Sequence, residues 1–178
     1  GGLIRRLLQG KVGPLSPEQT AYLEVISREM QQLEQLITRF LEFARLDLRI
    51  LTPRPSLFEV ETECREVLTL LAPMAEAKDI NLQAVYPLEP LKIRADPLLF
   101  REVLGNLLEN AIKYSPPHTT VTLNVSTERR EASFSVKDQG PGIPAADLPH
   151  IFEFYYRGAG KAREQGFGLG LATVRRIA

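Results

Sequence analysis

Between residues 96 and 114 the chain reads Asp96-Pro-Leu-Leu-Phe-Arg-Glu-Val-Leu-Gly-Asn-Leu-Leu-Glu-Asn-Ala-Ile-Lys-Tyr114, and this stretch decides the fold. Asp96 is a good N-cap residue and Pro97 suits the first helical position, so a helix is predicted to begin here. Apolar residues recur at steps of three and four along it, at Phe100, Val103, Leu104, Leu107, Leu108 and Ala111. This spacing predicts a helix with one face against a core.

Polar residues follow the same steps on the other side of this helix, at Glu102, Asn106, Asn110 and Lys113. Two neutral amides and an ammonium suit a ligand that brings its own negative charge. A phosphate chain with Mg²⁺ is such a ligand, because a hard cation takes oxygen ligands. The alternative is an ordinary solvated helix face, on which a pair of asparagines carries no function.

Composition sets limits on the class of protein. The chain has 178 residues, enough for one ordinary domain or a small one with an appendage. Lysine plus arginine and aspartate plus glutamate each number 22, so no nucleic-acid partner is expected. Because Cys64 is its only cysteine, the chain cannot form an internal disulfide. No apolar run reaches membrane-spanning length, although a longer parent chain could still be anchored in a membrane.

The N-terminal part is predicted to be a helical hairpin over residues 1–50. Residues 1–9 have a helical apolar pattern, and Ser16, Pro17 and Gln19 form a capping box that starts a second helix. A heptad seam follows at Leu23, Ile26, Met30, Leu33, Ile37, Phe40 and Ala44. The favoured interpretation is a homodimer that forms a four-helix bundle, and the alternative is a monomeric hairpin folded onto the next domain.

A second domain is predicted over residues 54–178, after the helix-breaking prolines Pro53 and Pro55. Residues 58–76 are expected to be mostly helical, with Pro73 kinking or ending the helix. The alternating pattern predicts strands at residues 81–86 and 92–95 and a hairpin of residues 120–126 with 131–137. The predicted fold class is therefore α+β, a sandwich with helices on one face of a mixed sheet.

The predicted hairpin runs into Asp138-Gln-Gly140-Pro-Gly142. The glycines allow the backbone to approach a flat ligand closely, and the carboxylate can accept hydrogen bonds. If the ligand is a purine, Asp138 accepts from the adenine amino group, whereas guanine would place a carbonyl there. Such a mismatch discriminates by about 10⁴ or more, which favours ATP over GTP. A β-turn capped by the aspartate is the equally weighted alternative.

A long irregular segment, residues 143–165, separates this turn from a second glycine-rich stretch. It contains Arg157, Lys161 and Arg163, and is either a mobile cover over a triphosphate or a surface loop with solvated charges. The next stretch, residues 166–174, reads Gly-Phe-Gly-Leu-Gly-Leu-Ala-Thr-Val. A glycine-rich loop that opens a helix offers N–H groups and the positive end of the helix dipole to an anion.

These motifs together resemble those of the sensor histidine kinases of two-component systems. Residues 106–114 are similar to the family's N box, 138–142 to its G1 box, 151–157 to its F box and 166–171 to its G2 box. The hairpin resembles the second part of the family's dimerisation and histidine-phosphotransfer domain. The resemblance thus covers nearly the whole chain, with four motifs in the family's order.

The resemblance implies a Bergerat-type (GHKL) ATP-binding fold with ATP and Mg²⁺ as cofactors. It implies that Asn110 is a Mg²⁺ ligand and that Asp138 binds adenine. The implied nucleotide-binding residues are Asn106, Asn110, Lys113, Tyr114, Asp138, Gly140, Gly142, Ile143, Tyr156, Arg157, Lys161, Arg163, Gly166, Phe167, Gly168, Leu169, Gly170 and Leu171. Asn106 stands where related ATP-hydrolysing enzymes have a glutamate that activates water, so the site resembles one built for transfer rather than hydrolysis.

The same resemblance implies the partners and the reaction. The γ-phosphoryl group would pass to a histidine on the dimer bundle and then to an aspartate in the receiver domain of a response regulator. The chain would be a cytoplasmic domain of a parent that is an inner-membrane sensor, anchored only through segments outside these residues. A nucleotide-binding scaffold and a GHKL-type serine kinase are the alternative functions.

Two features depart from the family pattern. The phosphoacceptor box with its histidine is absent, and the two histidines present, His118 and His150, are predicted to be solvated loop residues. The chain also stops at Ala178, where the family continues with further strands. We therefore expect a piece of a longer kinase that cannot phosphorylate itself, or else a lineage that lost the acceptor.

Overall fold

A computed structural model of the chain describes residues 2–11, 13–47, 52–128, 131–158 and 168–178. The chain divides into two compact units, Gly1–Arg45 and Leu46–Ala178. None of the described helices combines the length and the apolar character that crossing a bilayer requires.

The first unit contains helix α1 (Gly2–Leu8) and helix α2 (Pro17–Asp47). Helix α1 ends in a Schellman motif at Gly10, whose φ is +69°, with Gly10 N donating to Leu7 O and Lys11 N to Arg6 O. The predicted capping box starts α2, since Ser16 Oγ accepts from Gln19 N at 3.2 Å and Gln19 Oε1 accepts from Ser16 N at 2.9 Å. The predicted helical hairpin is confirmed.

The apolar seam of α2 is exposed in the single chain. Ile26 is 47% exposed, Leu33 55% and Ile37 50%, so about half of each of these side chains is open to solvent. The predicted seam positions Phe40 and Ala44 lie outside the described side chains. A stripe of exposed large apolar residues is typical of a surface that binds another molecule.

The second unit has two sheets and three helices among its described residues, and it confirms the predicted α+β class. Its elements in chain order are β1 (Ser56–Glu59), α3 (Val60–Glu76), β2 (Asn81–Val85), β3 (Lys92–Ala95), α4 (Pro97–Tyr114), β4 (Thr120–Glu128), β5 (Glu131–Lys137) and α5 (Gly170–Ile177). Strands β1 and β3 form an antiparallel pair. The second sheet has the order β2-β4-β5, with β2 parallel and β5 antiparallel to β4.

Helix α4 begins at Asp96 as the sequence predicts. Asp96 Oδ1 accepts from Leu98 N at 2.9 Å and Leu99 N at 3.3 Å, and Oδ2 accepts from Arg54 N at 2.7 Å. These three N–H groups stabilise the charged carboxylate, led by that of Arg54, and lower the pKa of Asp96 below its usual value. The cap therefore fixes both the helix and the chain segment that precedes β1.

The core lies between α4 and the three-stranded sheet. Leu108 and Ile112 on α4 and Val121 and Leu123 on β4 are completely buried. Each such side chain contributes about 1.5–3 kcal/mol by leaving water. The apolar face of α4 is thus held against the sheet, which leaves its polar face for another purpose.

The structure corrects one local prediction and excludes one alternative of a second. Phe58 lies in strand β1, not in the following helix, because it pairs with Ile93 of β3 and its ring lies 5.4 Å from that of Phe100. Pro73 does not end α3, since the helix runs through it to Glu76. Only the last turn follows Pro73, so the missing N–H removes one hydrogen bond near a helix end.

Candidate functional site

The start of α5 lies against the asparagine pair of α4. A Cβ atom added to Gly170 would lie 2.9 Å from Asn106 Oδ1 and 3.7 Å from Asn110 Nδ2. Only a residue without a side chain allows this approach. The structure thus brings together the polar line of α4 and the second glycine-rich stretch, which are far apart in the sequence.

The Asn106 amide has a defined orientation. Its Nδ2 donates to Glu102 O, one turn earlier on α4, at 2.8 Å, while Oδ1 lies on the side of Gly170. Leu169 at the N-cap of α5 has an apolar side chain that cannot cap the helix. The N–H groups of the first turn of α5 therefore carry partial positive charge next to the Asn106 amide oxygen, an arrangement that suits a phosphate with its cation.

Lys113 lies one turn after Asn110 and contacts the next aromatic residue. Its Nζ is 3.2 Å from the Tyr114 hydroxyl and 4.7 Å from the centre of the Tyr114 ring. Both side chains are half-buried. This contact restricts the position of the Lys113 ammonium. Lys113 follows Asn106 and Asn110 on the same helix.

The turn at Asp138 is packed tightly onto the end of α4. Gly140 N donates to Asp138 Oδ1 at 2.8 Å, and a Cβ on Gly140 would lie 2.9 Å from Tyr114 O. The capped turn that the sequence left as an alternative is therefore present. It uses one oxygen of the carboxylate, and Asp138 Oδ2 remains the second acceptor of this exposed side chain.

The same turn is held at two further positions. Gln139 Oε1 accepts from Thr120 N at the start of β4, at 2.7 Å. Gly142 has a φ of +72°, a conformation that favours glycine. Ile143, which follows, is 49% exposed and presents an apolar surface beside the turn.

Residues 143–158 form turns without a helix or strand. Tyr155 N donates to Gly168 O at 3.1 Å, and a Cβ on Gly168, where φ is +68°, would lie 2.8 Å from Tyr155 C. Tyr156 OH donates to Asp147 Oδ1 at 2.8 Å, and this carboxylate raises the pKa of the Tyr156 phenol. The second glycine-rich stretch is thereby joined to the F-box residues.

The remaining predicted residues divide into two groups. Leu169 is buried and Leu171 half-buried, so a ligand would meet mainly their backbone, whereas Arg157 is exposed. Four predicted residues lie outside the described residues, namely Lys161, Arg163, Gly166 and Phe167.

Both histidines lie in exposed connections, as expected. His118 follows α4 and has a φ of +61°, and His150 Nδ1 lies 2.8 Å from Glu153 Oε1. Neither belongs to a described helix.

Sequence reasoning missed three residues that hold the site's surroundings: Lys78, Gln139 and Asp147. Gln139 lies within the predicted turn, so its position could have suggested a role. Asp147 contacts Tyr156 nine residues later, and Lys78 contacts the end of α4, 34 and 35 residues later. Nothing in the local sequence indicates either contact.

Two family models match the chain. The model described as "Histidine kinase-, DNA gyrase B-, and HSP90-like ATPase" matches residues 95–178, and the model described as "His Kinase A (phospho-acceptor) domain" matches residues 2–49. The adaptive-response sensory kinase SasA of Synechococcus sp. (strain JA-3-3Ab) is 32% identical over 176 residues, which are 98% of this chain and 47% of SasA. The chain thus spans about half the length of this relative.

Solved structures with the same fold include full-length ShkA in complex with AMPPNP. It is 30% identical with a TM-score of 0.79, and the match covers 99% of this chain and 36% of ShkA. ThkA in complex with the response regulator protein TrrA has a TM-score of 0.71 at 22% identity, covering 99% of this chain and 52% of ThkA. At that identity, the likeness to ThkA concerns the fold.

Proposed function

Because the chain belongs to the sensor histidine kinase family, we propose that it is the catalytic core of a two-component kinase that binds ATP with Mg²⁺. The observation that carries this proposal is the contact between Gly170 and the asparagine pair Asn106 and Asn110. It supports a phosphate site between a helix N-terminus and the side-chain amides of this pair. The likeness to ShkA, whose structure is a complex with an adenine-nucleotide analogue, also supports it.

Within this site, each group has a proposed role that its position supports. Asn110 supplies an oxygen to Mg²⁺, which in turn neutralises charge on the phosphates. Asn106 and Lys113 lie near the phosphates, and Asp138 accepts from the adenine amino group. Gly140 and the other predicted residues of the G1, F and G2 boxes are proposed to bind the same ligand. Residues 54–178 form the proposed ATP-binding domain.

The proposed chemistry is transfer of the γ-phosphoryl group to a histidine and then to an aspartate of a response regulator. Asn106 is a neutral amide and cannot remove a proton from water, so the site favours an acceptor other than water. The residues of this chain bind and orient the nucleotide, and such positioning supplies most of the catalysis in phosphoryl transfer.

The 178-residue chain is proposed not to phosphorylate itself. Residues 2–49 match a phospho-acceptor model, yet the two histidines lie at positions 118 and 150. Incubation with γ-labelled ATP should leave no acid-labile label on the chain, and such a label would contradict this proposal.

Attachment of a longer parent protein to the inner membrane rests on the family alone, and fractionation of cells that produce that protein would test it.

The nucleotide site is tested with a pair of glycine-to-alanine variants. Gly170→Ala should weaken binding of AMP-PNP with Mg²⁺ about tenfold, because the new methyl group displaces the Asn106 amide and small misplacements in such sites are costly. Gly105→Ala is the matched control, since its Cβ would lie 4.0 Å from Val67 Cγ1 and meet no crowded atom. Isothermal titration calorimetry measures both.

Two results would count against the nucleotide proposal. One is that the unmodified chain releases no heat with millimolar AMP-PNP and Mg²⁺. The other is that Gly170→Ala binds as tightly as Gly105→Ala, which would place the phosphates elsewhere.

We also propose that residues 1–50 form the dimerisation and phosphotransfer domain, with the seam of α2 in a homodimeric four-helix bundle. The exposed apolar stripe supports this assembly. The unmodified chain should have twice the 20.0 kDa mass of a single chain. Replacing both Ile26 and Leu33 with Glu should place charges in the seam and give a monomer. Light scattering after size exclusion measures the mass.

The matched control for the dimer is Gln31→Glu, which adds charge to an exposed position of the same helix. It should leave the dimer intact. An unmodified chain that elutes as a monomer at all concentrations would refute the proposed assembly.

A further inference from the structure

Lys78 caps the last turn of α4 from outside the helix. It follows α3, and its half-buried side chain donates from Nζ to Ile112 O at 3.1 Å and also to Lys113 O. The last carbonyls of a helix have no partners within the helix and carry partial negative charge. An ammonium between two of these carbonyls donates hydrogen bonds to both, and its positive charge offsets their partial negative charge.

The segment that carries Lys78 is fixed by backbone hydrogen bonds on both sides. Ile80 N donates to Ala75 O at 2.9 Å, and Asp79 O accepts from His118 N at 3.0 Å. Asn81 N donates to Thr119 O at 2.9 Å, where β2 begins to pair with β4. The backbone around Lys78 is therefore fixed to the β4 end of the connection between α4 and β4, while its ammonium binds the end of α4.

The turn that Lys78 caps carries one half of the proposed nucleotide site. Lys113 and Tyr114 belong to it, and Tyr114 O packs against Gly140 of the Asp138 turn. Asn106 lies two turns earlier, beyond the reach of fraying at the helix end. Loosening the last turn would displace the ammonium of Lys113 and the turn of Asp138 together.

We propose that Lys78 is a positioning residue for nucleotide binding. It does not touch the ligand but holds the last turn of α4, and through Tyr114 it sets the distance between that helix and the Asp138 turn. This inference rests on the proposed nucleotide function. Lys78 lies in the connection between α3 and β2, outside the four motifs, so the inference gives that connection a role in nucleotide binding.

The test compares three variants of the full 178-residue chain. Lys78→Met keeps the apolar part of the side chain and removes the ammonium, Lys78→Arg retains a cation, and Lys92→Met removes an exposed lysine of β3. Lys78→Met should bind AMP-PNP with Mg²⁺ about tenfold more weakly than the unmodified chain. Lys78→Arg should restore the affinity to within about threefold, and Lys92→Met should match the unmodified chain.

Amide hydrogen exchange separates positioning from a general loss of stability. Ser115 N donates to Ala111 O at 3.1 Å and so reports on the last turn of α4, whereas the amide of Leu123 reports on the core. In Lys78→Met without nucleotide, the Ser115 amide should exchange at least about tenfold faster while that of Leu123 keeps its rate.

Four outcomes would overturn the inference. Unchanged affinity in Lys78→Met would show that the cap does not position the site. Equal acceleration at Ser115 and Leu123, or no rescue by arginine, would show a general structural role. If the unmodified chain binds no AMP-PNP at all, the proposed nucleotide function fails and this inference fails with it, a result distinct from the other three.

Discussion

Asp138→Asn is expected to lower the affinity for AMP-PNP about 100-fold and to remove the preference for adenine over guanine nucleotides. A hydrogen bond to a charged group contributes about 1.5–3 kcal/mol, and 100-fold lies within that range. The proposed bond runs from the adenine amino group to Asp138 Oδ2. Its loss should therefore appear directly in the dissociation constant.

The orientation of the new amide is set by Gly140. Gly140 N donates to Asp138 Oδ1, and only the oxygen of an asparagine can accept that bond. The amide nitrogen must then occupy the place of Oδ2, where it presents a donor to the purine. A donor repels the adenine amino group and matches the carbonyl of guanine, so the selectivity expected of the unmodified chain, about 10⁴, should fall to near one.

Calorimetry with AMP-PNP and GMP-PNP, each with Mg²⁺, measures this change in selectivity. Asp96→Asn is the matched control, because asparagine caps helices as well as aspartate does and residue 96 lies at the other end of α4. It should bind both nucleotides as the unmodified chain does. An Asp138→Asn variant that keeps its preference for adenine would show that the carboxylate only caps its own turn.

The sequence predicted those elements whose signals are local. The capping box at Ser16, the cap at Asp96 and the alternation along β4 each lie within the element that they define. Phe58 was misassigned because its strand depends on β3, which lies more than thirty residues later in the chain. The local pattern around Phe58 is equally compatible with a helix, and pairing decides between the two.

The candidate site shows the same difference between local signals and long-range contacts. The residues proposed to touch a nucleotide stand in short motifs, so the sequence and the resemblance suffice to propose them. The contacts that place them did not: Gly170 meets Asn106 only because α5 packs on α4, and Lys78 reaches carbonyls 34 and 35 residues away. Such contacts depend on the packed core, which no local pattern encodes.

Asn110→Ala is expected to abolish the effect of Mg²⁺ on nucleotide binding. Asn110 is the proposed oxygen ligand of the ion, and alanine supplies no oxygen. Removing even an outer partner of a metal ligand costs about 10- to 100-fold in affinity, so loss of the ligand itself should cost at least about 100-fold. The unmodified chain should lose a similar factor when Mg²⁺ is chelated.

Measuring the AMP-PNP affinity with Mg²⁺ and again with EDTA tests this prediction. In the unmodified chain the two values should differ by about 100-fold, and in Asn110→Ala they should coincide. Asn124→Ala, on the central strand β4, is the matched control and should keep the full difference. Asn110 is half-buried on α4 beside Gly170, so its truncation leaves the buried face of the helix intact. If Asn110→Ala retained the dependence on Mg²⁺, the ion would be held by other groups, and the role of the asparagine pair would have to be reassigned.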